Sequence, residues 1–111
     1  MDTLENYRQI IRNVLEEYVS IKYAYGEILN EIIFDLQRDR YLVMSVGWDG
    51  EKRVHGCLIH IDVIQGKVWI QRDGTEYGIA KNLVEQGIPA NQIVIAFHPQ
   101  DVRQYTEYAV Q

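Results

Sequence analysis

Histidine, cysteine and aspartate recur along one segment of the chain in a pattern that could bind a metal ion. His55 and Cys57 are two residues apart and therefore share one face of an extended strand. His60 and Asp62 share a face for the same reason. A closed zinc site needs four ligands, however, and His98 is the one remaining histidine. The sequence therefore predicts neither a metal site nor a bound cofactor.

The same side chains are the ones that acid–base chemistry would use. A small hydrolase or nuclease could employ His60, Asp62 and His98 as its proton carriers and carboxylate. Asp73 and Glu76 are further carboxylates, but their spacing matches a helix capping box. No nucleophile motif, phosphate-binding loop or dinucleotide loop accompanies these residues. We therefore expect no catalytic residues, and the hydrolase is kept as an alternative.

Direct DNA binding is disfavoured by the charge of the chain. The net charge is −5, from 11 basic and 16 acidic residues, whereas nonspecific DNA affinity comes from neutralising phosphates. Arg38 and Arg40 lie at one predicted turn, and Lys52 with Arg53 lies at the far end of the predicted sheet. These four residues therefore form no continuous basic stripe. A DNA-binding regulator that uses them is a second alternative.

The elements that must position these residues are strands of an antiparallel sheet. Asp49-Gly50 predicts a two-residue hairpin, because both central positions of that turn need positive φ, and Gln65-Gly66 predicts a weaker one. An alternating segment and a charged turn come before these strands and add a fourth strand. The predicted strands are Asn30–Gln37, Arg40–Trp48, Lys52–Ile64 and Lys67–Gln71.

A helix is predicted before the strands. Asp2 and Glu5 match a capping box, and apolar residues then recur at helical spacing. On the polar side, Arg12 and Glu16 have the spacing of an ion pair. The apolar face of this helix consists of Leu4, Tyr7, Ile11, Val14 and Tyr18.

A second helix is predicted after the strands. Asp73 or Thr75 caps its start, Gly87 ends it, and Pro89 prevents its continuation. Two other segments are ambiguous. Ser20–Tyr25 has no clear preference before a break at Gly26, and Asn91–Phe97 is either a fifth strand or buried extended chain.

These elements predict an α+β fold in a single domain, residues 1–111. Its centre is a four-stranded antiparallel meander, with the N-terminal helix and the second helix packed on one face, plus a short C-terminal strand. Neither face of the strand Lys52–Ile64 is cleanly polar, so we expect both faces to be at least half covered. The face without helices needs a partner, and a homodimer or higher oligomer is the simplest solution.

Aromatic and charged residues are the candidates for contact with a protein partner. Trp48 and Trp69 lie on neighbouring predicted strand segments, and tryptophan is enriched at interface hot spots. The aromatic residues of the C-terminal tail indicate that the tail docks on something. The predicted partner-binding residues are Trp48, Trp69, His98, Arg103 and Tyr105.

The cellular location is predicted from the cysteine content and from the absence of targeting and membrane-spanning patterns. One cysteine cannot form an internal disulfide, and no leader or long apolar run is visible. We therefore expect a cytoplasmic protein that does not associate with a membrane.

Three ordered motifs follow one another in the second half of the chain: DGTEYGIAKNLVEQGIP (Asp73–Pro89), IVIAFHP (Ile93–Pro99) and RQYTEYAV (Arg103–Val110). They resemble the XisI-like family, the family of the cyanobacterial fdxN element excision controlling factor. The Trp-Asp-Gly hairpin and HIDVIQGKVWIQ extend the resemblance over nearly the whole chain. Family members often have a second proline after His-Pro, where this chain has Gln100.

The resemblance implies an accessory role without catalytic residues. Such a protein acts with an endonuclease-like (XisH-like) companion protein to control a site-specific recombinase that excises a DNA element. The resemblance implies no cofactor and no active-site residues.

Overall fold

One mixed sheet of five strands forms the centre of the fold. The computed structural model describes residues 2–20 and 27–111, so most of the ambiguous segment Ser20–Tyr25, together with the predicted break at Gly26, lies outside the described residues. The elements are α1 (Thr3–Ser20), β1 (Glu27–Asp35), β2 (Arg40–Asp49), β3 (Lys52–Ile64), β4 (Lys67–Asp73), α2 (Ile79–Glu85), a 3₁₀ turn (Ala90–Gln92), β5 (Ile93–Ile95) and α3 (Gln100–Arg103).

The predicted four-stranded meander is confirmed, and the fifth strand corrects the sheet. Strands β1 to β4 pair antiparallel in chain order. β5 pairs parallel with β4, with Val68 opposite Ile93 and Ile70 opposite Ile95. A parallel neighbour needs a crossover connection, and the segment that contains α2 supplies it. The fold is therefore α+β with three helices and a mixed sheet.

The turns and boundaries differ from the predictions in small ways. Asp49 is the last residue of β2 and pairs with Lys52, so the hairpin turn is Gly50-Glu51, with positive φ at Gly50. Glu51 has no positive φ, so this turn has positive φ at its first central position alone and not, as was predicted, at both. β1 starts earlier and ends earlier than predicted, and Leu36 lies in the following turn with 63% of its surface exposed.

Both predicted capping boxes form in part. The Leu4 amide donates to Asp2 Oδ1, as predicted, but Glu5 accepts from Arg8 and Arg12 instead of completing the box. Arg12 therefore contacts Glu5 and not the predicted Glu16.

At α2, the Asp73 side chain caps the helix from a distance. Asp73 Oδ2 accepts from the Ile79 amide at 2.7 Å, and Oδ1 accepts from the Thr75 amide at 2.9 Å. The helix begins at Ile79 and not near Thr75, and a loop connects Asp73 to its first residue. Glu76, the predicted second member of the capping box, is exposed. Gly87 follows the helix with a φ of 120°, as predicted.

The helices α1 and α2 pack on one face of the sheet and form one apolar core with it. α1 contributes Ile11 and Leu15, α2 contributes Leu83, and the sheet contributes Tyr41 and Ile61, all fully buried. In the described part of the chain, no helix has the length and apolar character needed to cross a membrane.

Candidate functional site

The sheet face opposite this core is the candidate functional surface, and we call it the open face. Residues that pair across neighbouring strands direct their side chains to the same face, so the strand register defines its rows. The rows are Glu27–Trp48–Arg53, Leu29–Val46–His55, Glu31–Met44–Cys57, Ile33–Leu42–His60 and Asp35–Arg40–Asp62–Trp69–Val94.

The first four rows expose apolar side chains at the β1 side of the open face. Leu29, Ile33 and Trp48 are 60%, 50% and 45% exposed, respectively. The Arg53 guanidinium lies over the Trp48 ring, 5.3 Å from its centroid. Exposed apolar side chains that cluster on one surface are typical of protein contact sites.

A hydrogen-bonded polar cluster consists of His60, Arg40 and Asp62 from the last two rows and of Gln71 beside them. Asp62 is the buried charged residue in the described part of the chain, 5% exposed. His60 Nε2 lies 2.7 Å from Asp62 Oδ1, and Arg40 Nε lies 3.4 Å from the same oxygen. Gln71 Nε2 donates to the other oxygen at 3.2 Å. The carboxylate is thus surrounded by donors, as burial of a charge requires.

The three residues named for the hydrolase alternative do not form one hydrogen-bonded group. His60 and Asp62 are joined, but the His98 ring lies against Phe97, with 5.0 Å between the ring centroids. Within residues 2–20 and 27–111, no three His, Cys, Asp or Glu side chains are placed to hold a metal ion.

Cys57 lies beside the exposed His55 on the open face, and its thiol donates to the Ile59 carbonyl at 3.3 Å. Burial raises the pKa of the Cys57 thiol, an effect that the nearby Arg72 partly opposes. Because the thiolate is the nucleophilic form, a raised pKa makes this cysteine a poor nucleophile at neutral pH.

The basic residues named for the DNA-binding alternative are separated, as the sequence predicts. Arg38 pairs with Asp35 at 3.0 Å, and this hydrogen bond holds the pKa of Asp35 below its usual value. Arg40 pairs with Asp62 at one end of β2, while Lys52 and Arg53 follow its other end, roughly 30 Å away along the strand.

The C-terminal segment docks on the sheet of its own chain. Arg103 donates from Nε to the His98 carbonyl at 2.9 Å, from Nη1 to Val110 at 3.1 Å and from Nη2 to Ala96 at 3.2 Å. The same guanidinium lies over the Trp69 ring, 5.7 Å from its centroid. His98, Arg103 and Trp69 were expected at a partner surface, and the structure places them in these contacts within the chain.

The other two predicted partner residues lie elsewhere. Tyr105 is 83% exposed after α3, whereas Trp48 is in the first row of the open face. Trp69 is in the last row, with β3 between the two tryptophan strands. The predicted partner residues did not include Leu29 and Ile33. The alternation of β1 already indicated that Ile33 is exposed, because it lies on the more polar side of that strand.

The chain is similar to a known protein family and to solved structures. The family model described as XisI protein matches residues 1–110. A XisI-like protein from Anabaena variabilis ATCC 29413 has a crystal structure similar to this one, with 34% identity and a TM-score of 0.89 over 98% of this chain and 100% of that chain.

A second similar structure is the fdxN element excision controlling factor XisI from Anabaena variabilis ATCC 29413. The identity is 33% and the TM-score 0.84, over 99% of this chain and 100% of that chain. No curated protein gives a comparable match.

Proposed function

The chain belongs to the XisI family, and we propose that it is a non-enzymatic accessory protein that controls the excision of a DNA element. In this proposal it acts in the cytoplasm by binding an endonuclease-like companion protein. The observation that carries the proposal is the full-length similarity to an excision controlling factor, 33% identical with a TM-score of 0.84.

The open face supports protein binding as the mode of action. Leu29, Ile33 and Trp48 expose apolar surface next to the charged Glu27 and Arg53. An apolar centre with a polar rim is the usual composition of a protein interface. Arg40 of this face pairs with Asp62, Arg53 lies over the Trp48 ring, and Arg72 donates to the Cys57 carbonyl; these contacts disfavour phosphate binding.

The chemistry of the polar cluster supports a non-catalytic role. The Asp62 carboxylate receives contacts from His60, Arg40 and Gln71, which gives it a structural task within the sheet. The raised pKa of Cys57 likewise works against a role as nucleophile.

Co-purification with the endonuclease-like companion tests the proposal. We expect the wild-type protein to bind the companion, and the double variant Leu29→Ser/Ile33→Ser to lose most of that binding while its melting temperature stays close to wild type. The matched control is Val84→Ser/Val102→Ser, which also removes two exposed apolar side chains, but outside the open face. Equal binding by both double variants would exclude the open face as the contact surface.

A DNA-binding experiment separates the proposal from its alternative. We expect the protein alone to show no strong, salt-sensitive affinity for duplex DNA. Tight binding that falls steeply with salt and is lost in Lys52→Glu/Arg53→Glu, without any binding of the companion, would favour a direct DNA-binding regulator instead.

The homodimer stays a prediction. A two-fold axis would allow one surface to contact itself, so a second copy is a simple partner for any exposed apolar patch. Light scattering on the purified protein measures the mass of the assembly in solution directly.

A further inference from the structure

The outer edge of β1 has no strand neighbour within residues 2–20 and 27–111. β1 is the first strand in the sheet order and pairs regularly with β2 over nine residues, Glu27–Asp35. It contains neither proline nor lysine, which are common protections of an edge strand. The opposite edge differs, because Ala109 forms a bridge to Val94 of β5. The β1 edge is therefore a surface where a further strand can pair.

The charges along β1 indicate which strand would fit. On the open face, β1 presents Glu27, Leu29, Glu31 and Ile33 in alternation, all of them exposed. The carboxylates of Glu27 and Glu31 form no ion pair in the described part of the chain. Asp35, the next acid on this face, is already paired with Arg38.

A second copy of the chain is a poor occupant of this edge. Antiparallel pairing over the full strand would place Glu31 opposite its own counterpart, and Glu27 opposite Asp35 of the other copy. Like charges directly opposite each other destabilise a strand pair, whereas opposite charges stabilise it. A partner strand with basic residues at these positions avoids the repulsion.

We propose that the β1 edge binds, by strand addition, a basic extended segment of the companion protein. In that segment every second residue faces the open side. Basic residues lie opposite Glu27 and Glu31, and apolar residues lie opposite Leu29 and Ile33. Backbone hydrogen bonds hold the segment, and the alternating side chains select it. The identity of the partner rests on the proposed function, whereas the site rests on the edge and its charges.

Charge reversal on β1 is the first test. Glu27→Lys/Glu31→Lys should weaken binding of the companion about tenfold, because attraction becomes repulsion at two positions. The control Glu85→Lys/Glu107→Lys changes the net charge equally at exposed acids outside β1, and it should leave the affinity within about twofold of wild type. Equal affinities for the two double variants would overturn the proposal.

A synthetic peptide is the second test, and it needs no companion. The probe is a nine-residue peptide in which every second residue is threonine, and the residues between the threonines are lysine and valine by turns. The matched control peptide has glutamate in place of each lysine. The lysine peptide should slow hydrogen exchange of the amides of residues 27–35 and shift their NMR signals, and the glutamate peptide should not. No response of β1 to either peptide would overturn the proposal.

The two tests separate this inference from the proposed function. If the companion binds but neither charge reversal nor the lysine peptide affects β1, the edge inference fails and the proposed function stands. If the companion does not bind but the lysine peptide pairs with β1, the proposed partner is wrong and the chemistry of the edge stands. Concentration-dependent protection of β1 in the protein alone would identify a second copy as the occupant and overturn the inference.

Discussion

Arg103 lies over the ring of Trp69, with 5.7 Å between its guanidinium carbon and the ring centroid, although the two residues are far apart in the chain. The same guanidinium donates to the carbonyl oxygens of His98, Val110 and Ala96. One side chain therefore joins α3, the last residues of the chain and the open face of β4. The C-terminal segment is part of the fold.

Replacement of Arg103 by lysine should destabilise the protein. Lysine keeps the charge but cannot donate to three carbonyls in a fixed fork, so the free energy of unfolding should fall by about 1–3 kcal/mol. Urea denaturation measures the change. Gln104→Ala, at an exposed neighbour whose side chain donates to the local Asp101 carbonyl, should stay within about 0.5 kcal/mol of wild type. Equal stability of the two variants would contradict the assigned role of Arg103.

Two glycines of the meander should respond differently to alanine. Gly47 has a φ of 154°, and a Cβ there would lie 2.0 Å from the Glu27 carbonyl oxygen. Gly47→Ala should therefore cost roughly 1–3 kcal/mol and speed hydrogen exchange at the start of β1. Gly56→Ala is the matched control, because nothing lies within 4 Å of its Cβ position, and its stability should be unchanged or slightly higher. Thermal melts of both variants decide the point.

The thiol of Cys57 should react slowly with iodoacetamide at neutral pH. Burial raises its pKa, so the thiolate fraction at any given pH is smaller than for an ordinary cysteine, and the reaction should accelerate only at higher pH. Arg72 lowers this pKa, and Arg72→Gln should therefore move the rate profile to still higher pH. The protein unfolded in urea serves as the reference, with a midpoint near 8.5. A folded profile below that reference would show an activated thiol.

Loss of the Asp62 charge should destabilise the sheet without affecting the core. In Asp62→Asn the amide keeps the shape but cannot accept equally from His60, Arg40 and Gln71, so we expect a loss of about 1–3 kcal/mol. The exposed Asp49→Asn, at the other end of β2, is the control and should change little. Chemical denaturation gives both values. An unchanged stability of Asp62→Asn would indicate that the cluster serves another purpose.

The meander was predictable because its signals are local. The Gln65-Gly66 turn appears with positive φ at both residues, as its sequence predicts, and the Asp49-Gly50 signal was displaced by one residue. The segments between these turns predict three paired strands, and the alternation of the preceding segment predicts the fourth. Likewise, Asp2 and Asp73 were correctly predicted as caps, because a carboxylate close to a helix start accepts from the backbone amides that have no partner within the helix.

The parallel strand and the tail contacts were not predictable in the same way. Ile93–Ile95 is three apolar residues, too few to show a direction, and its pairing depends on where the crossover returns the chain. The position of Arg103 depends on carbonyl groups that no sequence pattern marks. Arg103 was predicted at a partner surface because of its residue type. Its contacts with Trp69 and His98 instead lie within the chain.

The bridge between Val94 and Ala109 makes the two borders of the sheet unequal. One border is occupied by the molecule's own last residues, so new strands have access from the β1 side alone within the described chain. A subunit of this kind can add its β1 edge to another sheet. It cannot extend a continuous sheet through many copies, because its second edge is already paired. Growth by strand pairing at both edges of the sheet would therefore require the C-terminal residues to detach from β5 first.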